Sequence, residues 1–499
     1  VTAFGVTTPG PPRRRRIQHP VALLLLLTAV PVVLGIAAGE VAVAGKAGAL
    51  PAFAVIVLPV IAWRRPQVAP AVLLFAALTI DQFPNAIDTT AANVTGNVPL
   101  FHGLGSLHLA PADLLLLAAG MLALVRRSAQ PAPPAPLSAA ALGICGAVFV
   151  GVAAGMLHHG DVRVMFMETR PYVYLVATYL IARTLLTDRR AIHQLLWAIV
   201  IAEAFKSVQA LAIFRTARHM DPRPEAVLGH EDALFLGIFV LLTASLWLFD
   251  VRGRLRTAAT WLLPLVLAAD LANTRRAAWL VLGGGGLVAA VIAAKWIPQR
   301  RLPLMRVGAV VLVVCAVYMP LFWNKSGGLA QPARAVRSIV SPGTRDASSD
   351  LYRVQEDANL KLNIREGGPL GRGFGVKIDY PLPIADISGL DPLIAYIPHD
   401  GVLYVLMRMG IAGGVALWTL VGVGIICACR LARSRERELA AVGALVAAML
   451  IGYAMEGGID QGFFFYRVGF VVGTLLGAVE AARRLVGTGP MHRAASNDS

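Results

Sequence analysis

The sequence predicts an all-α polytopic membrane protein with about 12–14 transmembrane helices and one large extracytoplasmic loop. Three observations predict it. Of 499 residues, 57% are hydrophobic and only 15% are charged, a balance outside that of soluble domains. Apolar runs of about 20 residues, the length that crosses a bilayer core, recur along the chain. The arginines and lysines fall in every second connection between those runs, as the positive-inside rule requires.

Taken in order, residues 1–16 are a Pro/Arg tail with no packing pattern. Fourteen apolar runs follow. Eleven of them, at 20–38, 45–63, 66–80, 110–125, 137–157, 171–187, 191–213, 226–249, 257–272, 275–294 and 304–322, make an N-terminal bundle over 17–322. Segment 128–136, Ser-Ala-Gln-Pro-Ala-Pro-Pro-Ala-Pro, is a stiff linker inside it. Residues 323–399 are the extracytoplasmic loop. Runs at 400–428, 439–456 and 463–480 form the C-terminal helices within 400–482, and 483–499 is a polar tail. The first run follows Arg13–Arg16 and is read as an uncleaved helix, because its removal would invert the charge pattern of all the rest.

The net charge of +16 is mostly topology. Arg64-Arg65, Arg126-Arg127, Arg252/Arg254/Arg256, Lys295 to Arg306, Arg430 to Arg437 and Arg483/Arg484 all lie on the side assigned to the cytoplasm. Both termini then lie in the cytoplasm, in a multi-pass protein of the cytoplasmic (inner) membrane. The basic balance serves orientation and attraction to anionic lipid, not nucleic acid. Cys145, Cys315, Cys427 and Cys429 all fall in apolar runs, so no disulfide framework or zinc site is indicated. The chain has no Walker motif, no metal-ligand spacing, no serine-nucleophile motif and no internal repeat.

The loop is the most informative segment. Asp350 to Ile364 reads as a helix, with Leu351, Val354, Ala358 and Leu362 on one face and Ser349 or Asp350 at its N-cap. Gly367-Gly-Pro-Leu-Gly-Arg-Gly-Phe-Gly375 cannot be regular helix. The loop returns to the membrane at Pro398-His399-Asp400, which puts an imidazole beside the first turn of the next span. An imidazole can take a proton near neutral pH.

Charged residues at membrane depth are costly and mark function by default. Asp81, Glu168, Arg170, His230, Glu231, Asp232, Asp270, Arg275, Arg276, Glu456 and Asp460 all fall at outer ends of runs. Arg275 and Arg276 oppose the topology rule. A guanidinium pair at a helix N-terminus suits a diphosphate, whereas snorkelling or a pair with Asp270 is the structural alternative. Arg353 on the loop helix is either a partner of Glu356 three residues on or a substrate group. His230-Glu231-Asp232 is a second candidate for proton chemistry.

The ordered set Thr274-Arg275-Arg276-Ala-Ala-Trp279, Asp350…Arg353, Pro369-Leu-Gly-x-Gly-Phe-Gly375 and His399-Asp400-x-x-Leu-Tyr404 with Gly410-Ile-Ala-Gly413 resembles the O-antigen ligase and polymerase superfamily. Leu109-Ala-Pro-Ala-Asp113, Glu168-x-Arg170-Pro171 and His230 to Ala233 agree loosely. Asp400 stands where that superfamily usually has Asn, and either Arg275 or Arg276 matches its single motif arginine. The resemblance implies a GT-C-like, metal-independent glycosyltransferase without a cofactor. Its donor would be a glycan on a polyprenyl (undecaprenyl) diphosphate, and its acceptor a hydroxyl of a glycan, lipid or protein at the outer membrane face. It further implies His399 and Arg353 as catalytic residues and Arg275, Arg276 and Arg170 on the diphosphate. Asp400, Gly371, Gly373, His230 and Glu231 would support them. A polysaccharide polymerase of the same superfamily, or a flippase or other transporter of lipid-linked glycan, are the competing readings.

Overall fold

The computed structural model describes residues 64–85, 87–101, 109–126, 135–221, 224, 226–325, 328–341, 344–385, 393–459 and 461–487. The runs expected at 20–38 and 45–63, the two tails apart from 483–487, most of the proline linker and Asp460 lie outside them. Among the described residues every regular element is helical. In chain order they are α1 (Ala69–Thr79), α2 (Thr90–Gly96), α3 (Pro111–Arg126), α4 (Pro136–Leu157), α5 (Val162–Leu185), α6 (Arg189–Ala217), α7 (His230–Leu248) and α8 (Arg254–Asn273). Then follow α9 (Arg276–Trp296), α10 (Arg301–Phe322), α11 (Gln331–Val340), α12 (Thr344–Gly367), α13 (Gly401–Leu431), α14 (Arg437–Ile459) and α15 (Tyr466–Gly487).

The protein is an all-α, multi-pass membrane protein. Among the described residues, eight helices are long and apolar enough to cross a bilayer: α4, α6, α7, α8, α9, α10 with the turn before it, α13 and α14. The run at 66–80 yields only the 11-residue α1, about 17 Å long at 1.5 Å per residue, against a hydrocarbon core of about 30 Å. Starts are set by local chemistry. Asp161, Asp188 and Asp400 each cap a helix by accepting backbone N–H groups of its first turn, at 2.8 Å from Arg163, Ala191 and Leu403 respectively.

Close helix packing fixes direction. Gly469, Gly473 and Gly477 on α15 back onto the carbonyls of Pro171, Leu175 and Tyr179 on α5, so these two helices run parallel. A Cβ at Gly473 would lie 2.1 Å from the Leu175 oxygen, an approach only glycine permits. Gly285 meets the Ala448 carbonyl while Gly452 meets Val281, so α9 and α14 are antiparallel. Gly443 against Ala428 and Ala432 makes α13 and α14 an antiparallel hairpin. The starts of α5, α7, α9, α13 and α15 and the end of α14 therefore share one end of the bundle. The starts of α6, α8 and α14 carry the arginines of the other, basic end.

The loop helix differs from expectation. α12 begins at Thr344, so Ser349 and Asp350 lie inside it and do not cap it. Leu351 and Val354 are exposed, at 57% and 64%, while Glu356, Asn359, Leu360 and Asn363 are buried. The reason is polar. Asn359 accepts from Leu382 N at 2.9 Å and donates to Leu382 O at 3.0 Å. Asn363 accepts from Asp379 N at 3.0 Å and donates to Asp379 O at 2.7 Å. Two side-chain amides thus pair the backbone of segment 379–382 as a neighbouring strand would.

The glycine-rich turn is wedged into the bundle. Gly410 breaks α13 with φ 58° and ψ −153°. The turn's Pro369 carbonyl packs there, 2.1 Å from where a Gly410 Cβ would stand. Gly373, at φ +85°, lies against α4, where a Cβ would sit 1.9 Å from Gly155 N. Arg408, fully buried, donates to Gly373 O at 3.0 Å and Val376 O at 2.6 Å. It also pairs with Glu168 at 2.7 Å, and Glu168 accepts Gly375 N at 2.5 Å. Irregular backbone is tolerated at this depth because protein groups satisfy it.

Candidate functional site

His399 is held from the loop side. Its N–H donates to Glu356 Oε2 at 3.0 Å, and its Nδ1 lies 3.2 Å from the same oxygen and 3.3 Å from Oε1. The Tyr352 ring meets the imidazole edge-on, with centroids 5.7 Å apart. The Glu356 side chain is 1% exposed and that of His399 is 22% exposed. A buried carboxylate only accepts, so in the neutral ring Nδ1 carries the proton and Nε2 the lone pair. The carboxylate fixes the tautomer and would stabilise the imidazolium formed on proton uptake, the relation that serves a general base.

Arg353 stands one turn before Glu356 and does not pair with it. Its Nη1 donates to Ile459 O, the last residue of α14, at 3.1 Å. Because α14 and α9 are antiparallel, the end of α14 lies at the end of the bundle where Arg276 opens α9 and Arg275 caps it. Thr274 enables that break by adopting left-handed backbone, φ 53°. Both arginines are half-buried. The Asp270 carboxylate accepts no hydrogen bond among the described residues, so the Asp270–Arg275 alternative is not the arrangement present.

The carboxyls around His399 form a crowded group. Burial pushes Asp357 up to about 6, with the nearby Asp400 adding to the shift. Burial also raises Asp400, and Glu356 adds to it, while the Leu403 N–H that it caps opposes the shift. Asp400 is therefore a capping residue beside His399, not a second ligand of the ring.

Three expected site residues are committed elsewhere. Arg170, 5% exposed, pairs with Asp113 at 3.1 Å and lies over the Phe166 and Tyr466 rings, so its charge is already balanced. Glu231 pairs with the buried Arg467 at 2.8 Å, and His230 stacks on Phe465 at 6.4 Å. Gly371 and Gly373 serve close packing. The turn's N–H groups are used at Gly371 by Gly368 O, at Arg372 by Met407 O, at Phe374 by Gly151 O and at Gly375 by Glu168, so this is not a phosphate cradle.

Arg408, Arg467, Lys206 and Glu203 escape the sequence reading, and Glu356 enters it only as the alternative partner of Arg353. Arg467 binds Glu231, Asp232 at 2.7 Å and Asp81 at 3.5 Å, and Lys206 pairs with Asp81. The two arginines could have been found as cations inside apolar runs far from the basic end. Among the described residues, no three His, Cys, Asp or Glu side chains are grouped to hold a metal ion. All four cysteines are free thiols. No protein-family model matches the chain, and no curated protein matches it.

Proposed function

We propose that the protein is a metal-independent glycosyltransferase of the O-antigen ligase type. It transfers a glycan from a polyprenyl-diphosphate donor to an acceptor hydroxyl at the outer face of the cytoplasmic membrane. The observation that carries this reading is the His399–Glu356 pair, at the end of the bundle that also bears Arg275, Arg276 and Arg353.

In this reading the acceptor oxygen attacks the anomeric carbon and the bond from that carbon to the diphosphate oxygen breaks. The hydroxyl proton goes to His399 Nε2, and Glu356 holds the resulting imidazolium. Arg275 and Arg276 neutralise the charge developing on the departing diphosphate, the electrostatic contribution that is usually largest. Arg353, whose anchor on Ile459 ties α12 to the end of α14, brings a third cation to the same end. Arg170 is left out, because Asp113 already neutralises it. A single in-line displacement inverts the anomeric centre.

About 12–14 spans and the 323–399 loop on the outside belong to this reading. An impermeant thiol reagent on intact cells should label a cysteine at Ser341 and spare one at Ser434; the reverse pattern overturns the topology. The activity test is purified protein with a synthetic polyprenyl-diphosphate glycan and an acceptor in EDTA. The expected products are the glycosylated acceptor and free polyprenyl diphosphate in equal amounts. Loss of transfer in EDTA overturns the metal-independent mechanism.

One observation favours a transporter of lipid-linked glycan instead. Glu203, fully buried, sits at the middle of α6, and neither of its oxygens accepts a hydrogen bond among the described residues. A carboxyl at that depth suits proton coupling. Glu203→Gln discriminates the two: transfer by purified protein in detergent persists if the protein is an enzyme, while translocation of labelled donor across vesicles fails if it is a transporter.

A further inference from the structure

The basic end of the bundle holds a cleft of about 340 Å³ that takes no part in the chemistry above. It opens where the ends of α7, α9 and α13 meet the start of α14. Leu248, Phe249 and Ile297 give it apolar lining, and Trp296 forms part of the wall. Arg300, Arg433, Arg435 and Arg437 also line it, with Asp250 as the acidic residue among them.

Asp250 is already saturated: Arg437 lies 2.6 Å away, Arg256 3.3 Å and Arg252 3.5 Å. Among the described residues, Arg300, Arg433 and Arg435 make no ion pair, so the lining keeps an excess of guanidinium. Arg433 is spread over the Trp296 ring at 4.6 Å, which orients its charge. The N-terminus of α14 at Arg437 adds a further positive dipole end. Arginines that served topology alone would project separately into solvent; these converge on one apolar-floored cleft.

We propose that this cleft binds a phosphate-bearing anion, with the headgroup of an anionic phospholipid as the favoured source. Guanidinium forks match phosphate oxygens bidentately. The apolar lining and Trp296 suit the adjoining glycerol and acyl region, as in basic pockets between membrane helices. A soluble phosphate would use the arginines and leave the apolar lining unused.

Native mass spectrometry of the full chain in detergent tests this with added phosphatidylglycerol, phosphatidylcholine or inorganic phosphate. Wild type should retain phosphatidylglycerol and not phosphatidylcholine. R300A/R433A/R435A should bind it at least about tenfold more weakly, having lost the charge-assisted bonds. R64A/R65A/R126A, which removes three cations of the same end outside the cleft, should retain it. The single changes R300A and R435A, each with a partial loss, provide the reading if the triple variant melts early. Arginine-dependent retention of inorganic phosphate without lipid retention assigns the cleft to a soluble anion. Equal phosphatidylglycerol retention by wild type and R300A/R433A/R435A, or equal loss in R64A/R65A/R126A, overturns the site.

Discussion

The amide and ring nitrogens of His399 converge on one carboxylate, Glu356, at 3.0 and 3.2 Å. The two residues lie 43 positions apart in the chain, so the pair exists only when α12 docks on the start of α13. A loop-borne acid thereby sets the tautomer of a membrane-boundary histidine. Glu356→Gln preserves the shape and removes the charge that holds an imidazolium. Turnover should fall by about 10²–10⁴-fold in His399→Ala and at least about tenfold in Glu356→Gln. Donor affinity should stay within about twofold in both, since neither change touches the diphosphate. The check is steady-state transfer beside direct donor binding on the same preparations; full turnover by Glu356→Gln would dissolve the pair as a catalytic unit.

The arginine changes should separate from these. Arg275→Ala/Arg276→Ala should abolish transfer and weaken donor binding together, because in the proposed reaction the lost charge would face both the bound and the departing diphosphate. Arg275→Lys/Arg276→Lys should recover little, since an ammonium lacks the planar fork. Binding of a non-hydrolysable polyprenyl diphosphate, measured by tryptophan quenching or calorimetry, gives the answer. Wild-type affinity in the double alanine variant would make these residues interfacial anchors.

The helices were legible because bilayer thickness imposes the length of an apolar run, and α4, α6, α7, α9 and α14 each coincide closely with one. His399 and Asp400 were legible from their place at a loop-to-span boundary. Glu356 was not: it lies 43 residues from His399, and only tertiary docking unites them. The buried face of α12 was misread for a physical reason. An apolar stripe assumes an apolar neighbour, but α12 packs on bare loop backbone, which Asn359 and Asn363 satisfy and Leu351 and Val354 cannot. Gly469-x-x-x-Gly473-x-x-x-Gly477 was a readable helix-packing signal, and its parallel seat on α5 follows from three carbonyl contacts.

The wedge formed by the glycine-rich turn predicts a sharp contrast between glycines. Gly373→Ala forces a side chain into left-handed backbone and into Gly155. It should cost at least about 2–3 kcal/mol, the sum of the backbone penalty and overpacking. Gly286→Ala, on α9 with nothing within 4 Å, should be neutral or stabilise by up to about 1 kcal/mol. Thermal unfolding of the two variants in one detergent compares them. Equal melting would mean that the turn is not wedged between α4 and α13.

The carboxyl group beside the His399–Glu356 pair predicts how stability varies with pH. Asp357 titrates at about 6 in the folded protein, raised first by burial and then by Asp400, whereas an unperturbed aspartate titrates at about 3.9. The folded state therefore binds this proton more tightly than the unfolded state. Its contribution to stability is fully present below about pH 4 and is lost as pH rises through about 6. Asp400, also raised, acts in the same direction. Asp357→Asn removes a charge that is unfavourable above that window, so the variant should melt higher than wild type at pH 7–8. Its melting curve should also be flatter between about pH 4 and 6. Melting midpoints of both proteins over about pH 4–8, with His399→Ala as a second background, decide it. A wild-type midpoint that rises through about pH 6 and is unchanged by Asp357→Asn would remove Asp357 from the coupled group.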